Sequence, residues 1–374
     1  MPRIPAERAG EPLNVKGAEV EFSYFPTVNT SRRDKLQTKV FTTDAWSIIH
    51  STVRRVRPIK RAKSAIAFAE QAEEFYQAAM AATTTRARPL LLYYAFLNLT
   101  KALCLVQGNE AVIGSAQHGI SEKAKNGVTI RKAMMTAHPT NPKMVNMIDE
   151  FRAALGLERL KDGAKYHVRD LAAGSLVGHR LWCTADDRND RFFRLNPVEF
   201  RHDAKNKQIW MRAWMKKSAA THAGATLAEV SKHGFNGQWR QVKPTKPPES
   251  DDAVLWEQIT PITYSSRPTD VLLDLTHQAR STLHRSMRVS EPFRVYYVYV
   301  PLKQFKAHHQ MEARYALIYY LGSVTRYHPA DFDAMMSSEF GPFLSEFLAS
   351  EPGQFLFEMA SLFAGREIVS VGLA

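Results

Sequence analysis

The longest pattern of apolar positions in the chain predicts a buried helix over Arg88–Leu103. Apolar and aromatic residues occupy nearly every face of this segment, which is typical of a helix inside a helical core. Before it, Ser64–Ala82 places small and aromatic residues at helical spacing and glutamates on the other face, which predicts an amphipathic partner helix. A second apolar helix is predicted over Glu312–Tyr327. These segments indicate a sizeable helical core.

Shorter elements are predicted around this core. From about Tyr166 the pattern changes to short β-prone runs that turn residues separate. The shorter predicted helices are Ile130–Ala137, Pro142–Leu155, Asp270–Met287, Asp331–Met336, Pro342–Ala349 and Gln354–Ala364. The predicted strands include Arg191–Leu195, Gln208–Trp214, Gly237–Val242 and Arg294–Pro301.

The fold class that follows is α+β and mainly α-helical, with a helical core and an inserted or appended mixed, largely antiparallel β region. We expect an irregular N-terminal arm over residues 1–42 and the first part of the helical core over 43–165. Residues 166–264 are predicted to form a basic mixed α/β insertion, which holds five of the six tryptophans. The second part of the helical core is predicted for 265–374.

Positive charge is unevenly distributed along the chain. The 374 residues carry a formal net charge of +13. Arg32–Lys63 has a net charge of +8 and Arg180–Glu249 of +7, whereas Ala330–Ala374 has −6. Segregated positive charge favours a polyanionic partner such as nucleic acid. The alternative is a solvated surface whose charge pairs with the acidic C-terminal part.

The cysteine content and the lengths of the apolar runs indicate the cellular compartment of the protein. Two cysteines, Cys104 and Cys183, exclude a disulfide scaffold and a Cys-rich zinc site. The N-terminal region has no apolar stretch typical of a secretory signal. Asn98 and Lys101 interrupt the Leu90–Leu97 run before it reaches the length of a membrane span. We therefore expect a cytoplasmic protein without a membrane partner.

Basic residues interleaved with aromatic ones are the candidate nucleic-acid contacts. Arginine and lysine bind phosphates, while aromatic rings stack on bases. An amphipathic strand with its aromatic face in a core gives the same alternation, so both interpretations stay open at this stage. The candidates are Arg54, Arg55, Arg57, Lys60, Arg61, Arg194, Arg201, Lys207, Trp210, Arg212, Trp214 and Lys216.

Two nuclease hypotheses arise from short spacings. Arg131 and His138 are separated by six residues, as in the R-x4–6-H motif of HEPN-type ribonucleases, where His transfers a proton and Arg stabilises phosphate charge. Asp187, Asp203 and Lys205 offer the acids and the D-x-K pattern of metal-dependent nucleases, which would require Mg²⁺. His138 also suits a helix C-terminus, and the segment that begins at Asp203 suits a polar turn.

Several common enzyme motifs do not occur in the sequence. There is no P-loop or dinucleotide-binding glycine motif, no H-E-x-x-H and no G-x-S-x-G. These absences argue against the common ATPases, dehydrogenases, zincins and α/β-hydrolases. No cofactor is identified, and a metal site is expected only under the metal-dependent nuclease hypothesis.

Three segments resemble the YaaC-like family of bacterial proteins: Arg88–Leu103, Gln117–Ile120 and Tyr319–Pro329. The resemblance runs in order from about Trp46 to the C-terminus. It implies a cytoplasmic prokaryotic protein with a mostly helical fold, and it brings no established reaction or catalytic residues. The Y-Y-x-F-x-N-L-x-K-A pattern that begins at Tyr93 is also similar to the core helix of HEPN-like bundles.

We therefore expect a YaaC-like binding or regulatory protein that contacts nucleic acid or nucleotides, and an antiphage defence system is one setting that would suit it. A nuclease is the first alternative. A structural partner subunit of a protein complex is the second, and a homo-oligomer is compatible with it. The polar residues predicted to hold the core together or to face a ligand pocket are Arg88, Asn98, Lys101, His118 and Arg326.

Overall fold

The computed structural model describes residues 4–26, 39–114, 116–122, 129–246, 250–289 and 295–371. It confirms the predicted α+β class, because the chain contains both many helices and a large antiparallel sheet. The described helices are α1 (Ala45–Val53), α2 (Ile59–Ala81), α3 (Arg88–Val106), α4 (Met147–Ala154), α5 (Val168–Ala173), α6 (His179–Ala185), α7 (Lys217–His222), α8 (Leu227–Glu229), α9 (Leu272–Arg280), α10 (Gln310–Tyr327), α11 (Pro329–Met336) and α12 (Gly341–Ala364).

The strands are short except for one long hairpin. In chain order the described strands are β1 (Glu11–Pro12), β2 (Asn14–Val15), β3 (Ala18–Glu19), β4 (Lys39–Thr42), β5 (Ile120–Glu122), β6 (Met134–Ala137), β7 (Ala164–His167), β8 (Phe192–Asp203), β9 (Gln208–Lys216), β10 (Trp239–Val242), β11 (Ala253–Gln258), β12 (Ile262–Thr263), β13 (Leu283–Arg285), β14 (Arg288–Val289), β15 (Tyr296–Tyr299) and β16 (Glu367–Val371).

The chain divides into two compact units. The sheet unit contains Met1–Phe41, Asn189–His309 and Val369–Ala374, and the helical unit contains Thr42–Arg188 and Gln310–Ile368. Each unit is therefore made from segments that are distant in sequence. The domain boundaries expected at residues 43, 166 and 265 stay predictions, and the central segment of the sheet unit is longer at its C-terminal end than the expected insertion.

The sheet unit is built on an antiparallel sheet in the order β10-β11-β9-β8-β15-β13. β1 pairs with β8, and β12 pairs with β9. In the β8–β9 hairpin, Phe200 pairs with Met211, and both side chains are almost fully buried. Because side chains alternate between the faces of a strand, their neighbours Arg201, Trp210 and Arg212 belong to the opposite face.

α3 is the central helix of the helical unit. α2 packs along it, and α10 and α12 pack against it as well. The rings of Phe96 and Phe355 stack with centroids 3.7 Å apart and join α3 to α12. Gly322 brings α10 close to α3, because a Cβ at this position would lie 3.2 Å from both the Pro89 carbonyl oxygen and the Tyr93 Cβ. The predicted buried helix over Arg88–Leu103 is confirmed.

The burial of α3 explains its apolar composition. Among the described helices it alone has the length and hydropathy that would suffice to cross a membrane. In the folded chain, 72% of its apolar stretch is buried inside the protein. Pro89 lies in its first turn, where the missing N–H has no helical partner to lose.

A buried ion pair joins two helices of this core. Arg314 of α10 and Glu351 of α12 pair directly, and their side chains are 2% and 1% exposed. The Ser175 hydroxyl donates a hydrogen bond of 2.8 Å to the other Glu351 oxygen. Since an unpaired buried charge is costly, each of these groups depends on the others.

Two predicted helices were wrong in type or extent. Within Ile130–Ala137 the described structure has strand β6, which pairs with β5 and β7. In Asp270–Met287 the α-helix ends at Arg280, and β13 follows it and pairs with β15. Non-local pairing overrides local helical periodicity at both places.

Two other predictions differ from the structure at their ends. The helices expected over Pro342–Ala349 and Gln354–Ala364 form one continuous helix, α12, with Pro352 inside it. The strand expected over Arg294–Pro301 is β15, and Arg294 itself lies outside the described residues. Gln208–Trp214 is confirmed as a strand within β9.

Candidate ligand site around Tyr93 and His118

Three distant segments of the helical unit meet at one aromatic cluster. Tyr93 of α3, His118 of the loop before β5 and Tyr319 of α10 contact one another. The ring centroids of Tyr93 and Tyr319 are 5.2 Å apart, and those of His118 and Tyr319 are 6.1 Å apart. The Tyr319 hydroxyl donates a 2.7 Å hydrogen bond to the Ile120 carbonyl oxygen, which ties α10 to β5.

Gly119 sets the course of the loop that carries His118. Its φ of +74° lies in the left-handed region, which favours glycine. A Cβ at this position would also lie 2.7 Å from the Asn146 Cβ and 3.0 Å from the Ile148 Cγ2. The loop can therefore pass the start of α4 only with glycine next to His118.

The hydroxyl of Tyr93 and Nδ1 of His118 form a hydrogen bond. Burial, followed by the neighbouring tyrosines Tyr315 and Tyr319, raises the pKa of Tyr93 strongly, so the phenol keeps its proton. A buried phenol needs an acceptor, and we therefore assign the donor role to Tyr93 and the acceptor role to Nδ1. The ring proton of the neutral imidazole then resides on Nε2, which has no protein partner among the described residues.

Two cations lie near His118. The loss of solvent lowers the pKa of His118 from 6.5, and the positive charges of Lys101 and Arg326 lower it further. His118 nevertheless keeps an exposed surface. We refer to Lys101, His118 and Arg326 as the cation cluster.

One face of α3 supplies the first part of this cluster. Tyr94, Asn98 and Lys101 follow one another at helical spacing and so lie on the same side of the helix. The Lys101 Nζ lies 5.1 Å from the centroid of the Phe68 ring on α2, and burial lowers the pKa of this lysine. Tyr94 stacks on Phe75 of α2 with ring centroids 5.4 Å apart.

α10 supplies the rest. Arg326 Nη1 donates a hydrogen bond of 3.3 Å to the Tyr94 hydroxyl, and its guanidinium lies 5.0 Å from the centre of the Tyr327 ring. One turn earlier, the Ser323 hydroxyl donates to the Glu122 carboxylate of β5. Burial raises the pKa of Glu122 in spite of this hydrogen bond, which disfavours its negative charge.

The remaining predicted core polar residues serve the packing of α2 and α3. Arg88 donates from Nε to the Ala79 carbonyl oxygen at 3.1 Å and from Nη2 to that of Ala82 at 3.0 Å, so it satisfies the C-terminal end of α2. Asn98 is 5% exposed and donates to the Gln71 side chain at 2.8 Å. Both residues stabilise the helix pair.

The three segments that meet here lie within the part of the chain that a family model matches. The family model of the YaaC-like Protein matches residues 23–363. The chain belongs to the YaaC-like family. No curated protein and no solved structure matches it. The predicted family is thereby confirmed, and the aromatic cluster is the place where the three segments that suggested this resemblance come together.

The sequence predicted His118, Lys101 and Arg326 as polar residues of the core or of a pocket, but it did not predict the contacts that connect them. Tyr93, Tyr319 and Glu122 were not assigned to a site from the sequence. The only available signal was the presence of tyrosine pairs and a His-Gly pair in the three segments that suggested the resemblance. Arg326 is tied to α3 by its bond to Tyr94, a contact that the sequence did not predict.

A second basic surface of this YaaC-like protein lies at the turn from α1 to α2. We refer to Arg54, Arg55, Arg57, Lys60 and Lys63 as the basic helix turn. All of them are exposed. Arg57 donates to the Val56 carbonyl oxygen at 2.8 Å, whereas the neighbouring Arg61 is half-buried and pairs with Glu110 at 3.6 Å.

In the sheet unit, several residues predicted to contact nucleic acid are instead buried or paired with other residues of the protein. Trp210 is 1% exposed, and the Arg8 guanidinium lies 5.6 Å from the centre of its ring. Arg212 pairs with Glu199 at 2.6 Å and with Glu7 at 2.9 Å. A buried indole and a doubly paired guanidinium offer little to a ligand.

Other predicted contacts of the sheet unit are open to solvent. Arg194, Lys207 and Lys216 are exposed, and Trp214 is partly exposed. Lys207 Nζ donates to the Ser265 carbonyl oxygen at 3.1 Å. Arg201 donates to the Gly10 carbonyl oxygen, and its side chain is largely covered.

Arg131 and His138 are not brought together. Arg131 pairs with Asp186 at 3.0 Å and with Glu339 at 3.3 Å. His138 Nε2 instead makes a hydrogen bond of 2.7 Å with the Ser121 hydroxyl. The four-residue strand β6 lies between them, in place of the helix that the HEPN-type interpretation requires. The geometry therefore gives no support to a catalytic pair.

The acidic candidates also have separate surroundings. Asp187 belongs to the helical unit, whereas Asp203 and Lys205 belong to the sheet unit. Asp203 accepts from the Asn206 backbone N–H at 3.0 Å and from its side-chain amide at 2.6 Å, and these bonds lower the pKa of its carboxyl. The polar-turn interpretation fits this geometry. Among the described residues, no group of three or more His, Cys, Asp or Glu side chains is placed to hold a metal ion.

A separate open cavity of about 680 Å³ in the helical unit is lined by Asn109, Glu150 and Arg159 among others. Its polar groups bind one another, because Arg159 Nη2 donates to Glu150 at 2.7 Å and Asn109 donates to the same carboxylate at 2.5 Å. Hydrogen bonds that are already satisfied inside the protein make this cavity a weaker candidate than the cation cluster.

Proposed function

We propose that this YaaC-like protein binds nucleic acid through the basic helix turn. The observation that supports the proposal is the gathering of exposed cations at Arg54, Arg55, Arg57, Lys60 and Lys63 within ten residues of sequence. In the described part of the chain, none of the five has a carboxylate partner.

The physical basis is the release of counterions from the phosphate backbone. Each cation that neutralises a phosphate releases condensed salt ions, so binding weakens as salt rises. The exposed cations of the basic helix turn are open to phosphates, whereas paired cations such as Arg212 of the sheet unit would first have to leave their carboxylates. The binding is general for the backbone and involves no base-specific contact.

The test is the affinity of the whole chain for a labelled 5′-hydroxyl single-stranded oligonucleotide at several salt concentrations. The logarithm of the association constant should fall with a slope of about −0.7 per phosphate contact. The triple variant Arg54→Glu, Arg55→Glu and Lys60→Glu should bind at least about tenfold more weakly and give a shallower slope.

The matched control reverses three other exposed lysines of the helical unit, Lys143→Glu, Lys161→Glu and Lys165→Glu. It changes the net charge by the same amount and should lose much less affinity. Equal losses in both variants, or an affinity that salt does not change, would contradict the proposal. A loss confined to Lys207→Glu and Lys216→Glu would move the binding surface to the sheet unit.

A further inference from the structure

Among the described residues, the two permanent charges of the cation cluster, Lys101 and Arg326, have no carboxylate counterion. Arg326 is bound to the hydroxyl of Tyr94, Lys101 lies on the same face of α3 as Tyr94, and His118 is bound to the adjacent Tyr93. The charges of Lys101 and Arg326 accordingly lower the pKa of His118.

In the described part of the chain, neither Lys101 nor Arg326 forms an ion pair with a carboxylate. Glu122 is bound to Ser323 instead, and burial disfavours its charge. An anion that entered the cluster would relieve this repulsion.

The hydrogen-bond donors of the cluster lie at different heights beside α3. Arg326 is held at Tyr94, and Lys101 lies seven residues further along the helix, which is about 10 Å of helix length. A span of this size suits more than one phosphate group. The Nε2–H of His118, the Lys101 ammonium and the remaining N–H groups of Arg326 are all donors, as phosphate oxygens require.

Aromatic rings lie beside these donors. The Tyr94 ring is half-buried and stacks on Phe75, and the half-buried Phe68 ring lies under Lys101. Partly exposed rings next to cations offer a nucleobase a surface on which to stack. Simple inorganic anions do not need such a surface.

We propose that Lys101, His118 and Arg326, together with the aromatic rings of Tyr94 and Phe68, form a binding site for the phosphates of a nucleoside diphosphate or triphosphate. The site is separate from the basic helix turn and does not depend on nucleic-acid binding there. It involves binding alone, with no bond made or broken.

The experiment is calorimetric titration of the whole chain with ADP in the absence of added metal ions, with adenosine as the phosphate-free probe. ADP should bind and adenosine should not bind measurably. Lys101→Met, which keeps the apolar stem on Phe68, should weaken ADP binding about 10- to 100-fold, as the loss of a charged hydrogen bond implies. Arg326→Gln should have an effect of similar size and provides a second test at an exposed position.

The control is Lys165→Met, which removes an exposed lysine of β7 in the same unit and should bind ADP like the wild type. Thermal unfolding of each variant establishes that it is folded. No binding of ADP, equal binding of adenosine, or wild-type affinity in both Lys101→Met and Arg326→Gln would overturn the proposal. Since the basic helix turn is tested with a 5′-hydroxyl oligonucleotide, failure of one proposal is distinguishable from failure of the other.

Discussion

The hydroxyl of Tyr93 and Nδ1 of His118 form a hydrogen bond that joins the central helix α3 to the loop before β5. Because Tyr93 is 4% exposed and His118 is exposed, the bond connects the packed core to the surface of the helical unit. It fixes the imidazole at the nitrogen that faces the core and leaves Nε2 for a ligand. The phenol therefore positions the histidine without itself having to touch a ligand.

Replacement of Tyr93 tests whether its hydroxyl positions His118. We expect Tyr93→Phe to lower the free energy of unfolding by about 1 kcal/mol, since one buried hydrogen bond is lost while the ring is retained. ADP binding should weaken as well, because His118 loses its fixed orientation. Urea unfolding and calorimetry measure the two effects. Tyr327→Phe, at a residue that is 61% exposed, should change neither stability nor affinity appreciably.

Gly119→Ala should be more damaging than a glycine substitution elsewhere. It combines a left-handed φ with a contact of 2.7 Å to Asn146, so we expect a loss of at least about 2 kcal/mol of unfolding free energy. Gly114→Ala separates the two causes, because Gly114 has a φ of +94° and no heavy atom within 4 Å of the added Cβ. Equal losses in denaturant unfolding would mean that the contact with Asn146 contributes nothing.

The candidate site was only partly predictable from sequence. Lys101, His118 and Arg326 stood out because polar residues on apolar segments need partners. The sequence did not indicate that these three residues lie close together. Lys101 and Arg326 are separated by more than half of the chain, and no local period relates them. The resemblance to a family supplied the segments, and the packing of α10 on α3 brought two of them into contact.

The affinity for ADP should rise as pH falls. The free site holds His118 below its ordinary pKa of 6.5, so its ring is neutral at pH 7. A bound anion stabilises the charged imidazolium and raises that pKa, so binding takes up a proton. We expect the contribution of His118 to affinity to increase as pH falls toward the lowered pKa of the free site and to level off below it. His118→Gln should remove this contribution and leave only the pH dependence that the titration of the ADP phosphate itself produces.

The pH dependence of ADP affinity must be assigned to His118 rather than to the other titratable groups around it. Tyr93 and Tyr319 have raised pKa values, that of Tyr319 to about 12, so both stay protonated in this range. Glu122, in contact with Ser323 of α10, has a pKa raised above 4.5 by burial, and this carboxyl needs a control. Glu122→Gln should keep the pH dependence of ADP affinity. If the dependence disappeared in Glu122→Gln and survived in His118→Gln, the assignment to His118 would be wrong.

The buried pair of Arg314 and Glu351 should cost far more to break than an exposed pair. Arg314→Met leaves a carboxylate inside the helical core, and we expect a loss of about 3–5 kcal/mol in unfolding free energy. The double variant Arg314→Met with Glu351→Leu should recover much of it. Arg86→Met, in the exposed pair with Asp333, should cost at most about 1 kcal/mol. Denaturant unfolding of the four proteins tests the ranking.

The helical core was more predictable than the short strands. The long apolar pattern placed α3 correctly, since periodicity over many residues is a strong signal. Ile130–Ala137 failed because its few apolar positions suit a helix as well as a strand, and the partner β7 lies about thirty residues away. Pro342–Ala349 and Gln354–Ala364 were expected as separate helices, yet α12 continues through Pro352 because it packs against several helices of the core.

The helical unit is assembled from two stretches of chain, Thr42–Arg188 and Gln310–Ile368. During synthesis, Tyr93, Lys101 and His118 therefore leave the ribosome long before Arg326. The sheet unit's central segment, Asn189–His309, has to be translated in between. The cation cluster can form only after α10 has been translated, so a nascent chain or one truncated before α10 lacks it. Ligand binding at this place would report that the second stretch of the helical unit has been reached.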